Sequence, residues 1–313
     1  MANSFKTELQ GVRFGLDTGF TWLARASAMV PVVLLVAIGW VIGQQAWPAM
    51  QAFGLSFLWG QDWDVGAALF GALPYIYGTL VSAAIALLLA VPVGLSVAIL
   101  TTESFLPTWV REPVAFLVEL IAAIPSVIVG LWGIFVLIPF LMPMQTWLFD
   151  HWRWVPLFST EPYGPGMLTA GVILAIMILP TLAALGRDVL LALPPELRMA
   201  AMAVGATRWE TIAHVNLPAA SAGILGAVTL GLGRALGETM AVTMVIGNSP
   251  QISASLLDLG YTIPAVLANQ FAEAVDELHL GALMYLALVL FLLTLAVNVV
   301  AVLMVRAVGM QTP

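Results

Sequence analysis

The sequence has no cysteine, which excludes disulfides, thiolate nucleophiles and cysteine-ligated metals. It has almost no lysine: of ten basic residues, all but Lys6 are arginine. A phosphate-cradling Walker loop needs a lysine after its second glycine, and Lys6 has no such context. Any nucleotide chemistry therefore belongs to a partner. Charge of either sign is also scarce. Asp, Glu, Lys and Arg make up 9% of 313 residues, where a soluble chain carries roughly a quarter. The net charge of −7 argues against nucleic acid as a partner. What fills the chain instead is apolar: 61% of residues are hydrophobic and the mean hydropathy is +1.03. Such a chain cannot cover its surface with polar groups, so that surface must face lipid.

Charge is expensive at the centre of a bilayer, so charge-free stretches of about twenty residues locate the membrane spans. Trimmed by apolar content, they fall near 27–43, 76–100, 114–141, 167–185, 221–247 and 281–305. The expected fold is an all-α polytopic membrane protein with six transmembrane helices. Residues 1–26 are expected to form a cytoplasmic N-terminal segment, 27–305 a six-helix transmembrane domain, and 306–313 a cytoplasmic tail. Phe5, Leu9, Val12 and Leu16 recur at helical spacing and suggest a short interfacial helix. The first apolar run is span-length and lacks a small-residue cleavage site, so it reads as an uncleaved first helix.

Orientation follows the basic residues. With both termini in the cytoplasm, Lys6, Arg13, Arg25, Arg111, Arg187, Arg198, Arg208 and Arg306 lie inside, and Arg153 alone lies outside. The outer loops are tryptophan-rich, with Trp47, Trp59 and Trp63 in the first and Trp147, Trp152 and Trp154 in the second. An aromatic belt at the headgroup level accounts for them. In the last outer loop, Glu273, Asp276 and Glu277 are spaced to share one helix face. No repeat and no Ser- or Gly-rich linker divides the chain.

The longest inner segment, 187–220, carries more pattern than a connector needs. Pro195 suits a first helical turn, Glu196 complements the helix dipole, and Gly205 permits a break. Trp209, Ile212 and Val215 then resume a helical run before Pro218, which is expected to stop it. A short helix, a glycine turn and a second short helix form a knob that another protein grips. A plain connecting loop is the competing account.

The fifth span holds charge. Arg234 and Glu238 are four residues apart, which places them on one helix face, with Arg234 roughly 20 Å from the inner end. An ion pair stapling helices together would explain them. So would a path for an anion, the planar guanidinium matching phosphate or carboxylate oxygens. Gly231, Gly233 and Gly237 leave room for close packing or passage. Pro125 predicts a kink in the third span. Ser126 and Thr181 offer hydroxyls to a substrate, although bonding to their own helix backbone is the commoner fate. Glu119 either pairs with a basic residue of a partner or faces the path. His151, His214 and His279 are dispersed over both sides, and no metal site is expected.

Gly205, nine residues, then Val215-Asn-Leu217-Pro218 resembles the coupling-loop motif of ATP-binding-cassette importer permeases. The motif's Glu falls at Met199, followed by Ala200 and Ala201 as in the family, and Glu196 one turn earlier is the candidate to supply the charge. Gly233-Arg-Ala-Leu-Gly-Glu-Thr-Met-Ala-Val242 resembles the fifth helix of C-type permeases of phosphate importers. So do Phe70–Thr79, Ala123–Val127 and Ala268–Ala274, and the similarity runs from about residue 14 to 306. The resemblance implies a type I importer permease fold and a non-catalytic subunit. It implies docking of an ATPase by a coupling loop at 194–218, through Glu196, Arg198, Ala200, Ala201, Gly205, Ala206, Thr207, Leu217 and Pro218. It also implies a phosphate path along Arg234, Glu238 and Thr239, with Ser126 and Thr181 as hydroxyl candidates. The implied partners are a second, homologous A-type permease, two ATPase subunits that use ATP and Mg, and a periplasmic phosphate-binding protein. The chain itself holds no cofactor, and its place is the bacterial inner membrane. From the outer charge balance, Glu273, Asp276 and Glu277 are expected to dock a basic rim on the binding protein. A permease for sulfate or molybdate would keep the coupling loop without the 230–243 segment. A secondary transporter or channel would explain buried charge without an ATPase.

Overall fold

A computed structural model describes the backbone of residues 2–103 and 105–309 and the side chains of residues 20–103 and 105–306. The apolar face expected of Phe5, Leu9, Val12 and Leu16, like Lys6, Arg13 and the tail beyond Arg306, lies outside the described side chains. In chain order the helices are α1 (Ala2–Phe53), α2 (Leu73–Thr102), α3 (Thr108–Ala122), α4 (Ser126–Trp132) and α5 (Ile138–Trp152). They continue with α6 (Met167–Leu191), α7 (Pro195–Ala203), α8 (Arg208–Thr211), α9 (Leu217–Gly237), α10 (Met240–Val245), α11 (Ile263–Gln270) and α12 (Glu277–Gly309). Single π turns, 133–137 and 212–216, join α4 to α5 and α8 to α9. Six helical stretches are long and apolar enough to cross a membrane: Phe20–Leu58, Leu73–Thr102, Ser126–Trp152, Met167–Leu191, Arg208–Gly237 and Glu277–Arg306. One strand pair, Trp63–Asp64 with Leu69–Phe70, interrupts the helical pattern.

The core is built on α2 against α6, the most extensive helix pair. Along α2, Ala83, Ala86, Ala90, Gly94 and Ala98 are buried at a spacing of three to four residues. Small side chains on one face let two helices approach closely, and dispersion then replaces the hydrophobic drive that lipid does not supply. α6 is the most buried of the spans. α9 packs on its flank, and α1 with α12 forms an outer pair. Beyond this core, Phe57, Phe70, Tyr75, Tyr261, Leu283 and Tyr285 close one end of the bundle. The 195–217 segment sits at the other end.

Several boundaries differ from the sequence expectation. Pro125 does more than kink the third span. A residue before proline is pushed out of the α region, so the chain leaves the helix after Ala122 and restarts with Pro125 at φ −58°, ψ 137°. The membrane-crossing stretch is therefore 126–152 rather than 114–141, and α3 is a separate helix with no fully buried residue. The longer spans carry Trp47, Trp147 and Trp152 within helices rather than in loops. α1 also runs without a break across residue 26.

Candidate functional site

Helix nine stops in the middle of the charged segment. Glu238 caps it in an extended conformation (φ −70°, ψ 126°), and α10 begins two residues later. The expectation that Arg234 and Glu238 share a helix face therefore fails, since the i, i+4 relation needs helical backbone through both positions. No ion pair joins them among the described residues. Arg234 instead donates from Nη1 to Thr181 Oγ1 on α6 at 3.1 Å; among the described residues the rest of its N–H fork has no partner, and the residue is exposed. Glu238 is half-buried, and its Oε1 accepts weakly from the Ala241 N–H at 3.5 Å. Thr239 turns its hydroxyl to the Gly237 carbonyl at 3.3 Å.

The two interrupted helices meet. An added Cβ on Gly130 of α4 would lie 2.5 Å from Met244 Sδ and 3.2 Å from Ala241 Cα of α10. Only a hydrogen side chain lets these two short helices touch. Beside the break, Gly237 and Thr239 line a recess of about 440 Å³ closed by Leu267, Phe271 and Leu290. Thr181, a candidate hydroxyl for a substrate whose commoner fate is bonding to its own helix, accepts from Arg234. Ser126 opens α4, half-buried, and hydrogen-bonds neither Arg234 nor Glu238 among the described residues. Glu119 lines a small crevice that Arg187 of the same chain also lines.

The 195–217 segment folds as a knob. α7 ends in paired bonds from Gly205 N–H to Met202 O and from Ala206 N–H to Ala201 O, both 3.1 Å. This reversal needs a left-handed residue, which Gly205 supplies at φ +92°. Thr207 then caps α8, and Glu210 closes a reciprocal capping box, accepting from Thr207 N–H at 2.7 Å. Pro218 does not end this run. It stands in the first turn of α9, where its missing N–H falls after a π turn, so the helix is continuous from Arg208 to Gly237. Glu196, Ala200 and Leu197 are exposed, and Met199, in the motif's Glu position, is 60% exposed. Val204 projects further at 87%. The knob offers apolar side chains at its tip, with Ala201 and Leu217 half-buried beneath.

Glu103 and Asn216, which sequence reasoning passed over, hold this knob together with Arg198. Arg198 Nη2 lies 2.7 Å from Glu103 Oε2, the one ion pair among the described residues. Asn216 Nδ2 donates to Glu103 Oε1 at 3.2 Å. Glu103 is buried. A carboxylate just beyond a long apolar run was the available signal, although nothing in the sequence said what it met.

At the opposite end, Glu273 and Asp276 are not helical. α11 stops at Gln270, and the chain turns until α12 begins at Glu277, so the three acids do not share one helix face. All three are exposed. Beneath them Trp63 Nε1 donates to Gln270 Oε1 at 2.9 Å, and Asn269 Nδ2 donates to Tyr261 Oη at 2.9 Å. Burial pushes the Tyr261 phenol up, the Asn269 bond opposes that, and the charge of Glu273 adds to it. Among the described residues no group of three or more His, Asp or Glu is placed to hold a metal ion.

Six apolar helices, two of them interrupted beside a buried core, with a capped helical knob at one end, define a polytopic membrane protein. Residues 90–310 match the family described as binding-protein-dependent transport system inner membrane component. The chain is 43% identical over 306 residues to the "Phosphate transport system permease protein PstC" of Mesorhizobium japonicum, covering 96% of this chain and 93% of that one. It is 44% identical to the protein of the same description from Haemophilus influenzae, covering 89% of each. Among solved structures it resembles a bacterial alginate ABC transporter in complex with an alginate-bound periplasmic protein, at a TM-score of 0.61 and 16% identity, covering 92% of this chain and 95% of that one. It also resembles the inward-facing MetNI methionine ABC transporter at a TM-score of 0.54 and 20% identity, over 76% of this chain and 94% of that one. The chain belongs to the family of binding-protein-dependent transport system inner membrane components.

Proposed function

We propose that this chain is the C-type permease subunit of an ATP-driven importer of inorganic phosphate, set in the bacterial inner membrane with both termini in the cytoplasm. The observation that carries the reading is Arg234. It stands at an interruption of a membrane helix, held by Thr181, with its remaining donors free for an oxyanion. The high identity to phosphate transport permeases over nearly the whole length supports phosphate as that anion. Glu238 and Thr239 flank the break, so Glu238 is placed to accept from a protonated phosphate oxygen. Ser126 begins the opposing interrupted helix and completes the pathway set.

The knob is the ATPase contact. Its apolar tip, from Leu197 through Met202 to Val204, is exposed where a soluble loop would be polar. Glu196, Ala200, Ala201, Ala206, Thr207, Leu217 and Pro218 shape it rather than perform chemistry. Two PstB-type ATPase subunits bind and hydrolyse ATP with Mg, a PstA-type permease completes the path, and a PstS-type protein delivers phosphate. The chain performs no catalysis itself. Closure of the ATPase pair moves the knob, and the two permeases rock between inward-open and outward-open states. On the outer face, Glu273, Asp276 and Glu277 repel free anion and receive a basic rim of the delivering protein.

The test is radiolabelled phosphate uptake by the reconstituted complex, competed with sulfate and with arsenate. Arsenate, the isostere, competes and sulfate does not. Arg234→Gln lowers uptake by about a hundredfold, as expected when a charged partner is withdrawn from a desolvated anion. Full uptake by that variant would remove Arg234 from the path.

A further inference from the structure

The link that follows α2 touches every helical piece of the knob. Glu103 accepts Arg198 of α7 on one carboxylate oxygen at 2.7 Å and Asn216 of the π turn on the other at 3.2 Å. Two residues on, Phe105 stacks on Trp209 of α8, with centroids 4.8 Å apart and planes at 22°. Three separate elements of the knob are thereby fastened to one short stretch of chain. That stretch is continuous with α2, α2 is packed along its length on α6, and α6 carries Thr181, the partner of Arg234. A displacement of the knob therefore has a physical route to the break in helix nine that does not pass through α9 itself.

The chemistry of the fastening matters. Glu103 is buried with only 7% of its side chain exposed, against 33% for Arg198. A buried carboxylate with both oxygens engaged resists separation, because parting it from its cation would strand a charge out of water. A knob held by exposed contacts would slide under load, whereas this one moves with α2. We propose that Glu103 is a positioning residue for coupling: with Phe105 it forms a clamp through which the motion of the ATPase-facing knob is transmitted to α2 and onward to Arg234.

The proposal rests on the reading of the knob as the ATPase contact, and one experiment separates the two. ATP hydrolysis and radiolabelled phosphate uptake are measured together on the reconstituted complex. If the unaltered complex retains no ATPase subunits or moves no phosphate, the functional reading fails. If it works, Glu103→Gln is expected to keep the ATPase subunits in their normal ratio while phosphate moved per ATP falls about fivefold, and Arg198→Gln to lower phosphate moved per ATP by a similar factor in whatever complex retains its ATPase subunits. The double variant Glu103→Gln/Arg198→Gln should be no worse than the poorer single one, since both remove the same link. Trp209→Leu, at a position 65% exposed, should lower the ratio about threefold. Arg198→Lys, which keeps the charge and loses the fork, should fall between Arg198→Gln and the unaltered complex. An unchanged ratio in Glu103→Gln, or additive losses in the double variant, overturns the clamp. Should Glu103→Gln fail to assemble, unchanged ratios in both Trp209→Leu and Arg198→Lys overturn it equally.

Discussion

The two ends of this bundle are held by different physics. At the acidic end, Phe57 stacks on Tyr285 at 4.4 Å, Phe53 and Trp63 meet Phe70 edge to face, and Trp63 meets Tyr75 the same way. Tyr261 and Leu283 fill in behind them. Such a cluster is held by area and by many small contacts, none of which is decisive alone. At the knob end few apolar side chains are buried, and a handful of directional bonds fix the geometry: Glu103 to Arg198 and Asn216, Thr207 to Glu210, and the paired bonds around Gly205. Dense packing makes a rigid frame. Directional bonds around an exposed apolar tip make a part that moves as a unit and can be pushed.

If that contrast is right, the largest loss of stability should come from the frame. Phe57 is 1% exposed between Phe53 and Tyr285, and Phe57→Ala should cost about 3–5 kcal/mol, the usual range for emptying a buried phenyl site. Thermal unfolding of the purified complex in detergent should show it as a fall of several degrees. A melting temperature within a degree of the unaltered protein would mean that the aromatic end collapses around the gap, and the frame would be softer than its packing implies.

The next effect lies on the surface of the same end and should leave stability alone. Neutralising Glu273, Asp276 and Glu277 to Gln, Asn and Gln removes three exposed charges with no ion-pair partner among the described residues. Stimulation of ATP hydrolysis by the delivering protein should drop about tenfold at low salt, converging with the unaltered complex as salt screens the field. Equal stimulation at every ionic strength would take the acids out of docking.

How much of this was legible beforehand divides along the same line. Six spans and a knob with a glycine reversal follow from charge gaps, proline and Gly205, because those signals are local. The boundaries failed where a local residue has two outcomes. Pro125 predicts a kink and makes a complete break, since Ile124 before it also leaves the helix. Pro218 predicts a stop and stands in the first turn of α9, because a π turn absorbs its missing donor. Periodicity placed Arg234 and Glu238 on one face on the assumption of unbroken helix, and Glu238 itself is the interruption. Glu103 is out of reach for a different reason: its partners are about a hundred residues away in sequence, and a single chain does not say which cation a lone carboxylate meets. The candidate path thus changes in its geometry, with Arg234 turned to Thr181 rather than to Glu238.

At the knob end single backbone positions should have small, separable effects. Gly205 sits at φ +92°, and an added Cβ there would meet nothing within 4 Å. The penalty of Gly205→Ala is therefore conformational alone, about 1–2 kcal/mol. It should appear as faster amide exchange across 201–206 with no shift in the global melting temperature. A global shift would mean that the knob and the aromatic frame unfold together, which would erase the contrast between them.

The smallest change tests whether the knob is one unit or two. Thr207 caps α8 through its hydroxyl, which accepts from the Glu210 N–H at 3.3 Å and donates to Glu210 Oε2 at 2.8 Å. Thr207→Ala should cost about 1 kcal/mol, the typical worth of an N-cap. Because α8 is also fastened through Trp209 to Phe105, the loss should stay within residues 207–211 and leave α7 protected. Exchange that speeds up equally over 195–203 would show that α7 leans on the cap across Gly205, so that the two short helices are held by each other rather than separately by the link after α2.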